Sequence, residues 1–325
     1  MDPAIIVFGF GVGFLVGLTG IGGGSLMTPL LILIFGVSPV TAIGTDISYA
    51  AVTKVVGAWR HLKLRTVNLG LAAWMAAGSV PSAVAGVWVI KALERRYGNI
   101  DEVVLGILAA ALLVTGAATL IRGFFLQNKI PERESFEMRR RHKIAAVGIG
   151  ALTGFVIGIS SAGSGVLIAI MLIAVYRLTP LKVVGTSVVV AAMMLWAAAI
   201  AWGIAGNVDY GLAANIIVGS VPGVVVGSQL SVKWRPDVLR AALSFVLIAA
   251  GIILLGKASS DVVPYALAFS VVGVGGLFAA QIALRREVEQ DPQEQEWMRR
   301  AAIIASHGDE IERYEAVDHQ LAARS

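Results

Sequence analysis

The chain has 325 residues, of which 57% are hydrophobic and only 14% charged, with a mean hydropathy of +0.80. A soluble domain carries about 25% charged residues, so this composition points to an integral membrane protein. The net charge of +5 and pI near 9.6 do not signal nucleic-acid binding, because the basic residues sit at the ends of apolar runs, where they orient a membrane protein.

Five apolar segments come first, at Ala4–Leu18, Ser25–Gly36, Pro39–Trp59, Leu69–Ile90 and Val103–Ile121. After a charged connector, five more follow at Ile144–Ile159, Val166–Tyr176, Leu181–Ile204, Tyr210–Val232 and Val238–Leu255. Several hold about 20 residues almost without charge, the length a helix needs to cross hydrocarbon. Ser25–Gly36 and Val166–Tyr176 are shorter, and each pairs with the segment before it as a re-entrant helical hairpin tipped by a glycine-rich turn, with ordinary spans as the alternative. Non-helical backbone at such depth is tolerated only inside protein or beside a watery cavity. An eleventh segment, Val262–Leu284, has no partner in the first half.

The second set repeats the first at a constant offset of 141 residues. Gly17–Gly24 returns at Gly158–Gly165, Pro39 at Pro180, Gly44-Thr45 at Gly185-Thr186, and Gly78–Pro81 at Gly219–Pro222. Basic turns alternate with turns lacking Lys and Arg, which places the N-terminus outside and the C-terminus in the cytoplasm. Lys91, Arg95 and Arg96 alone break the alternation, and Glu94, Asp101 and Glu102 accompany them. An odd number of segments per half then turns the second half upside down. The expected fold is an all-α polytopic membrane protein with two inverted-topology repeats of five apolar segments and one extra C-terminal transmembrane helix. Its parts are a first repeat over 1–125, a cytoplasmic connector over 126–143, a second repeat over 144–256, the extra helix over 257–284 and a polar cytoplasmic tail over 285–325. The tail reads either as a short helix for self-association, giving a homo-oligomer, or as a disordered segment. Met1-Asp2-Pro3 lacks the positive region of a cleaved signal peptide.

Paired halves with glycine interruptions in matching places are the pattern of a transporter whose site lies between them. The two glycine turns supply the first candidate substrate residues: Thr19, Gly22, Gly23, Gly24 and Ser25, then Ser160, Ser161, Gly163, Ser164 and Gly165. Glycine lets backbone approach a ligand, and a helix starting just after each turn directs free N–H groups at an anion. The alternative use of these glycines is close helix packing. Thr45 and Thr186 add hydroxyls near the same helices.

Asp46 and Lys54 are the formal charges deep within a span, and such charges are costly enough to face the protein interior. Lys54 is a candidate partner for an anionic substrate and Asp46 a candidate proton carrier, with a structural charge pair or snorkelling as the alternatives. The absence of cysteine removes thiolate chemistry, and no nucleotide loop, cofactor motif, metal-ligand spacing or catalytic constellation appears, so neither an enzyme nor a cofactor is expected.

With these residues in place the sequence resembles the sulfite exporter TauE/SafE family of bacterial membrane permeases over roughly Ala4–Leu255, through Gly17–Ser25, Pro39–Thr45, Gly78–Pro81 and their second-half counterparts. The resemblance implies transport of sulfur-containing anions such as sulfite, thiosulfate or organosulfonates across the cell inner membrane, coupled to an ion gradient. Many relatives resemble Gly-Thr-Ser where this chain has Gly44-Thr45-Asp46; an added acid near an anion site favours proton coupling, since a fixed negative charge repels the substrate. A cation transporter using Asp46 and a non-transporting scaffold are the alternatives.

Overall fold

A computed structural model describes residues 2–19, 24–125, 138–163, 165–231, 236–258, 262–264, 266–268 and 270. The expected turn residues Gly22, Gly23 and Ser164, most of the charged connector, most of the extra helix and the whole tail lie outside the described residues.

Ten helices follow one another: α1 (Pro3–Thr19), α2 (Gly24–Ile34), α3 (Pro39–Lys63), α4 (Leu69–Tyr97), α5 (Asp101–Phe125), α6 (Arg140–Ser160), α7 (Val166–Tyr176), α8 (Pro180–Ile204), α9 (Tyr210–Ser231) and α10 (Pro236–Lys257). The described residues contain no strand beyond a single bridge position at Leu178. Five helices, α4, α5, α6, α8 and α9, are long and apolar enough to cross a membrane. α3 has the length but carries Asp46, Lys54, Arg60 and Lys63, which is why it falls outside that set. α3 and α8 begin at a proline after an uncapped Ser38 or Thr179, since proline at the first helical position forgoes only an N–H that has no helical partner. α4 and α9 continue without a break through Pro81 and Pro222.

α2 and α7 have 11 residues each, about 16 Å of rise, roughly half of what the hydrocarbon requires. α7 is buried on nearly every side, as expected of a helix that is apolar all round. Both return toward the start of the helix before them. Phe35, just past α2, meets Phe8 of α1 edge to face with ring centroids 4.9 Å apart. Tyr176, which stands 141 positions after Phe35, donates its hydroxyl to the His142 carbonyl at the start of α6 (2.8 Å).

Most inter-helix packing pairs one half with the other, α1 with α9, α4 with α6, α5 with α10 and α3 with α8. Glycines set the closest of these. A Cβ on Gly9, Gly13 or Gly17 would stand 2.4–2.8 Å from backbone of Ile216, Ser220 or Val224 in α9. A Cβ on Gly150, Gly154 or Gly158, each 141 positions later, would stand 2.1–2.3 Å from the carbonyl oxygens of Met75, Ser79 or Ala83 in α4. Four-residue spacing puts these glycines in a line on each helix, so two pairs of parallel helices approach backbone to backbone. The repeat equivalents run oppositely. Gly44 near the start of α3 meets Asn207 beyond the end of α8, and Gly185 near the start of α8 meets Thr66 beyond the end of α3. α5 and α10 are likewise antiparallel, with Gly116 against Ser244 and Ile248, and Gly251 against Ala109 and Leu113. The first residues of the unpaired segment, Val262 and Ala266, pack on Gly106 of α5.

Candidate functional site

Asp46 is the charged residue to which both halves send hydroxyls. It sits two turns into α3 and is fully buried. Its Oδ2 accepts a hydrogen bond from Thr28 Oγ1 of α2 at 2.5 Å and another from Ser161 Oγ at 2.8 Å. Thr28 belongs to the first hairpin. Ser161 belongs to the α6–α7 turn of the second. The other oxygen, Oδ1, is buried without a hydrogen-bond partner among the described residues, an arrangement that costs about 1–3 kcal/mol or more for a charged group.

The α6–α7 turn is shaped by its backbone. Ser161 caps α6 in the left-handed region (φ 58°) and Gly163 follows at φ +82°, a conformation glycine adopts at least cost. Ser160 Oγ returns to the Val156 carbonyl at 2.6 Å. Gly165 is the residue before α7, and the Gly163 and Gly165 carbonyls accept from Leu167 and Ala169. The N-terminus of α7 thus rises from a turn whose residues 160–163 are all buried. Thr115 of α5 faces this turn: its Oγ1 lies 2.8 Å from where a Cβ on Gly163 would stand. Neither Thr28 nor Thr115 is evident from the sequence as a site residue. Thr28 lies one turn beyond Gly24-Ser25, and that spacing is the available signal; Thr115 is a lone hydroxyl in an alanine- and leucine-rich run, which gives none.

The remaining expected residues divide by position. Gly24 opens α2; of the side chains of Thr19 and Ser25 nothing is described. Thr45 Oγ1 accepts from the Asp209 N–H at 3.0 Å, and Thr186 Oγ1 accepts from the Asn68 N–H at 3.0 Å. Asp209 and Asn68 in turn cap α9 and α4 through Leu212 and Leu71. These two hydroxyls therefore hold the halves together. The glycines beside them serve the same joint, since a Cβ on Gly44 would stand 2.2 Å from the Asn207 carbonyl oxygen and one on Gly185 would stand 2.5 Å from that of Thr66. Each Gly-Thr pair is a clasp around the turn of the opposite half. A lysine reinforces each: Lys91 donates to Asn207 Oδ1 at 2.7 Å while pairing with Glu94, and Lys182 donates to the Arg65 carbonyl at 2.9 Å.

Lys54 lies eight residues beyond Asp46, about 12 Å along the helix. It is half-buried and makes no hydrogen bond or ion pair with a described residue. A separate cleft of about 530 Å³ opens between α3, α8 and α9, lined by Ser48, Val52, Trp196, Ile200 and Tyr210 among others, and excludes Asp46. No group of three potential metal ligands occurs among the described residues.

Residues 5–254 match the family described as Sulfite exporter TauE/SafE. The chain belongs to that family. It is 34% identical over 255 residues to "Probable membrane transporter protein YjnA" of Bacillus subtilis, covering 78% of this chain and 100% of that one. It is also similar to "Probable membrane transporter protein MJ0441" of Methanocaldococcus jannaschii, at 27% over 51% of this chain and 59% of the other, and to "Probable membrane transporter protein YdhB" of B. subtilis, at 26% over 63% and 80%. No solved structure gives a significant match. This member of the TauE/SafE family is thus a multi-pass membrane transporter of the cell membrane, and its buried Asp46 cluster lies within the matched region.

Proposed function

We propose that the chain is a secondary transporter of small sulfur-containing anions, of the class of sulfite, thiosulfate or an organosulfonate, working by alternating access with Asp46 as the proton carrier. The observation that carries this reading is the buried carboxylate joined by hydroxyls to a hairpin of each half. The α7 helix start offers N–H groups to an anion. Oδ1 is the open position for a proton. With a proton there, Asp46 no longer repels an anion and can itself donate a hydrogen bond; without it, the carboxylate draws Thr28 and Ser161 together and disfavours the substrate. Binding and protonation are coupled in this way through one side chain. Lys54, further along α3, supplies positive charge on the substrate's path.

Alternating access follows from two halves inserted in opposite directions, with the N-terminus outside and the C-terminus in the cytoplasm. The antiparallel course of α3 against α8 supports the inversion, and the pairing of Lys91 with Glu94 and Asn207 accounts for one of the three basic residues that break the charge alternation. Because the chain has no cysteine, single cysteines report sidedness cleanly. Ser38→Cys and Leu181→Cys mark the exposed starts of the equivalent helices α3 and α8. An impermeant thiol reagent is expected to reach Ser38→Cys from outside and Leu181→Cys only from the cytoplasm; labelling of both from one side removes the inversion.

The substrate class is tested by thermal shift and binding of the purified protein against sulfite, thiosulfate, sulfoacetate, sulfate and lactate. A sulfur oxoanion is expected to stabilise the protein most, and Lys54→Ala to weaken that binding more than Lys54→Arg. A shift by metal cations with none from any anion would favour a cation transporter instead, and no shift by either a scaffold.

A further inference from the structure

We propose that Thr115 of α5 is a substrate-binding residue, its hydroxyl donating to an oxygen of the anion held at the α6–α7 turn. The inference rests on the anion-transport reading and adds to it a contact from an element outside both hairpins.

A threonine inside a membrane helix ordinarily returns its hydroxyl to a carbonyl one turn back, because no water is there to take it. Thr53, Thr119 and Thr153 do so, toward Tyr49, Thr115 and Ile149. Thr115 does not. Its Oγ1 is fully buried and has no hydrogen-bond partner among the described residues. An unsatisfied buried hydroxyl is costly, and Thr115 makes no back-bond that would relieve it. The hydroxyl is instead directed at Gly163, within 2.8 Å of the position a Cβ would take there.

The turn it faces is built for an acceptor. Gly163 stands at φ +82° with Thr115 Oγ1 and the Leu167 side chain beside its Cβ position, and Gly165 precedes the 11-residue α7. An oxoanion there would receive N–H groups from the start of α7 and the Thr115 O–H from α5. An acceptor is the ligand chemistry required, because the N–H groups of a helix start and a hydroxyl whose donor is unused both complement negative charge. Asp46 adjoins the same turn, its Oδ2 accepting from Ser161 while its Oδ1 has no partner among the described residues. Thr115 thus supplies a donor on the side of the turn that α5 covers, while Asp46 reports protonation through Ser161.

The test is anion affinity, measured by titration of purified protein with sulfite and with sulfoacetate, for Thr115→Val and Thr115→Ser. Valine keeps the shape and removes the hydroxyl; serine keeps the hydroxyl. The expected result is a Kd weakened about 10- to 100-fold in Thr115→Val, the loss of one hydrogen bond to a charged group, with Thr115→Ser close to the parent protein. The apo melting temperature of Thr115→Val is expected to stay level or rise, because the unsatisfied group is gone. Parent-like affinity in Thr115→Val overturns the proposal, as does equal weakening in the valine and serine variants, which would indicate packing. If Gly163→Ala loses binding while Thr115→Val does not, this contact fails and the anion site stands. If the parent protein binds no anion, both fail.

Discussion

Gly163→Val is expected to abolish the anion-induced thermal shift. Gly163 stands at φ +82°, and a Cβ there would meet Thr115 Oγ1 at 2.8 Å and the Leu167 side chain at 3.1 Å. Valine therefore collides with Thr115 and Leu167 and displaces the groups proposed to hold the anion. Left-handed backbone at a branched residue also stores about 1–3 kcal/mol of strain, so a lower melting temperature is expected as well. Binding is for that reason measured on the folded, monodisperse fraction, and Gly163→Ala, with the same clash but less bulk, is measured beside it. Folded Gly163→Val with parent affinity would mean that the turn serves only to join α6 to α7. In the first-half glycine turn, Gly23→Val is expected to lose binding too if both glycine turns contribute to the site.

Asp46→Asn is expected to fold and to transport without a response to pH. An asparagine carbonyl can accept the Thr28 and Ser161 hydroxyls as Oδ2 does at 2.5 and 2.8 Å, so the link between the hairpins survives. What is lost is the ionisable oxygen. A neutral amide resembles the protonated acid, so anion binding should persist across mildly acidic and neutral pH while the parent protein loses affinity as pH rises. Should the variant be as pH-dependent as its parent, Asp46 is a structural polar group. If it aggregates instead, Thr28→Val with Ser161→Ala distinguishes a structural link from a proton site, because those changes sever the link while keeping the acid.

The helical plan is legible in the sequence because membrane segments are specified by length, apolarity and punctuation. Pro39 and Pro180 mark helix starts where α3 and α8 begin, and the offset of 141 residues recurs from the first to the last residue of that pair. The short α2 and α7 are legible for the same reason. Glycine is harder to assign, since one residue type serves two physical ends. Gly17 and Gly158 belong to the packing lines against α9 and α4, whereas Gly163 shapes the turn. The Gly-Thr pairs suggest site lining in sequence but clasp the opposite half in space, because a hydroxyl's neighbour is chosen by tertiary packing. Thr28 and Thr115 are hidden for a related reason: a threonine in a helix defaults to its own backbone, and only coordinates reveal that Thr28 bonds Asp46 and that Thr115 leaves its hydroxyl unused.

In the proposed mechanism one side chain links substrate to protons, and flux across a membrane tests that link most directly. Purified protein is reconstituted in liposomes holding a pH-reporting dye, and radiolabelled sulfite entry is followed with and without an imposed pH gradient. The expected result is sulfite flux that the gradient accelerates, accompanied by proton movement in the parent protein and by none in Asp46→Asn. Sulfite flux indifferent to the gradient, or proton movement unchanged in Asp46→Asn, would contradict it.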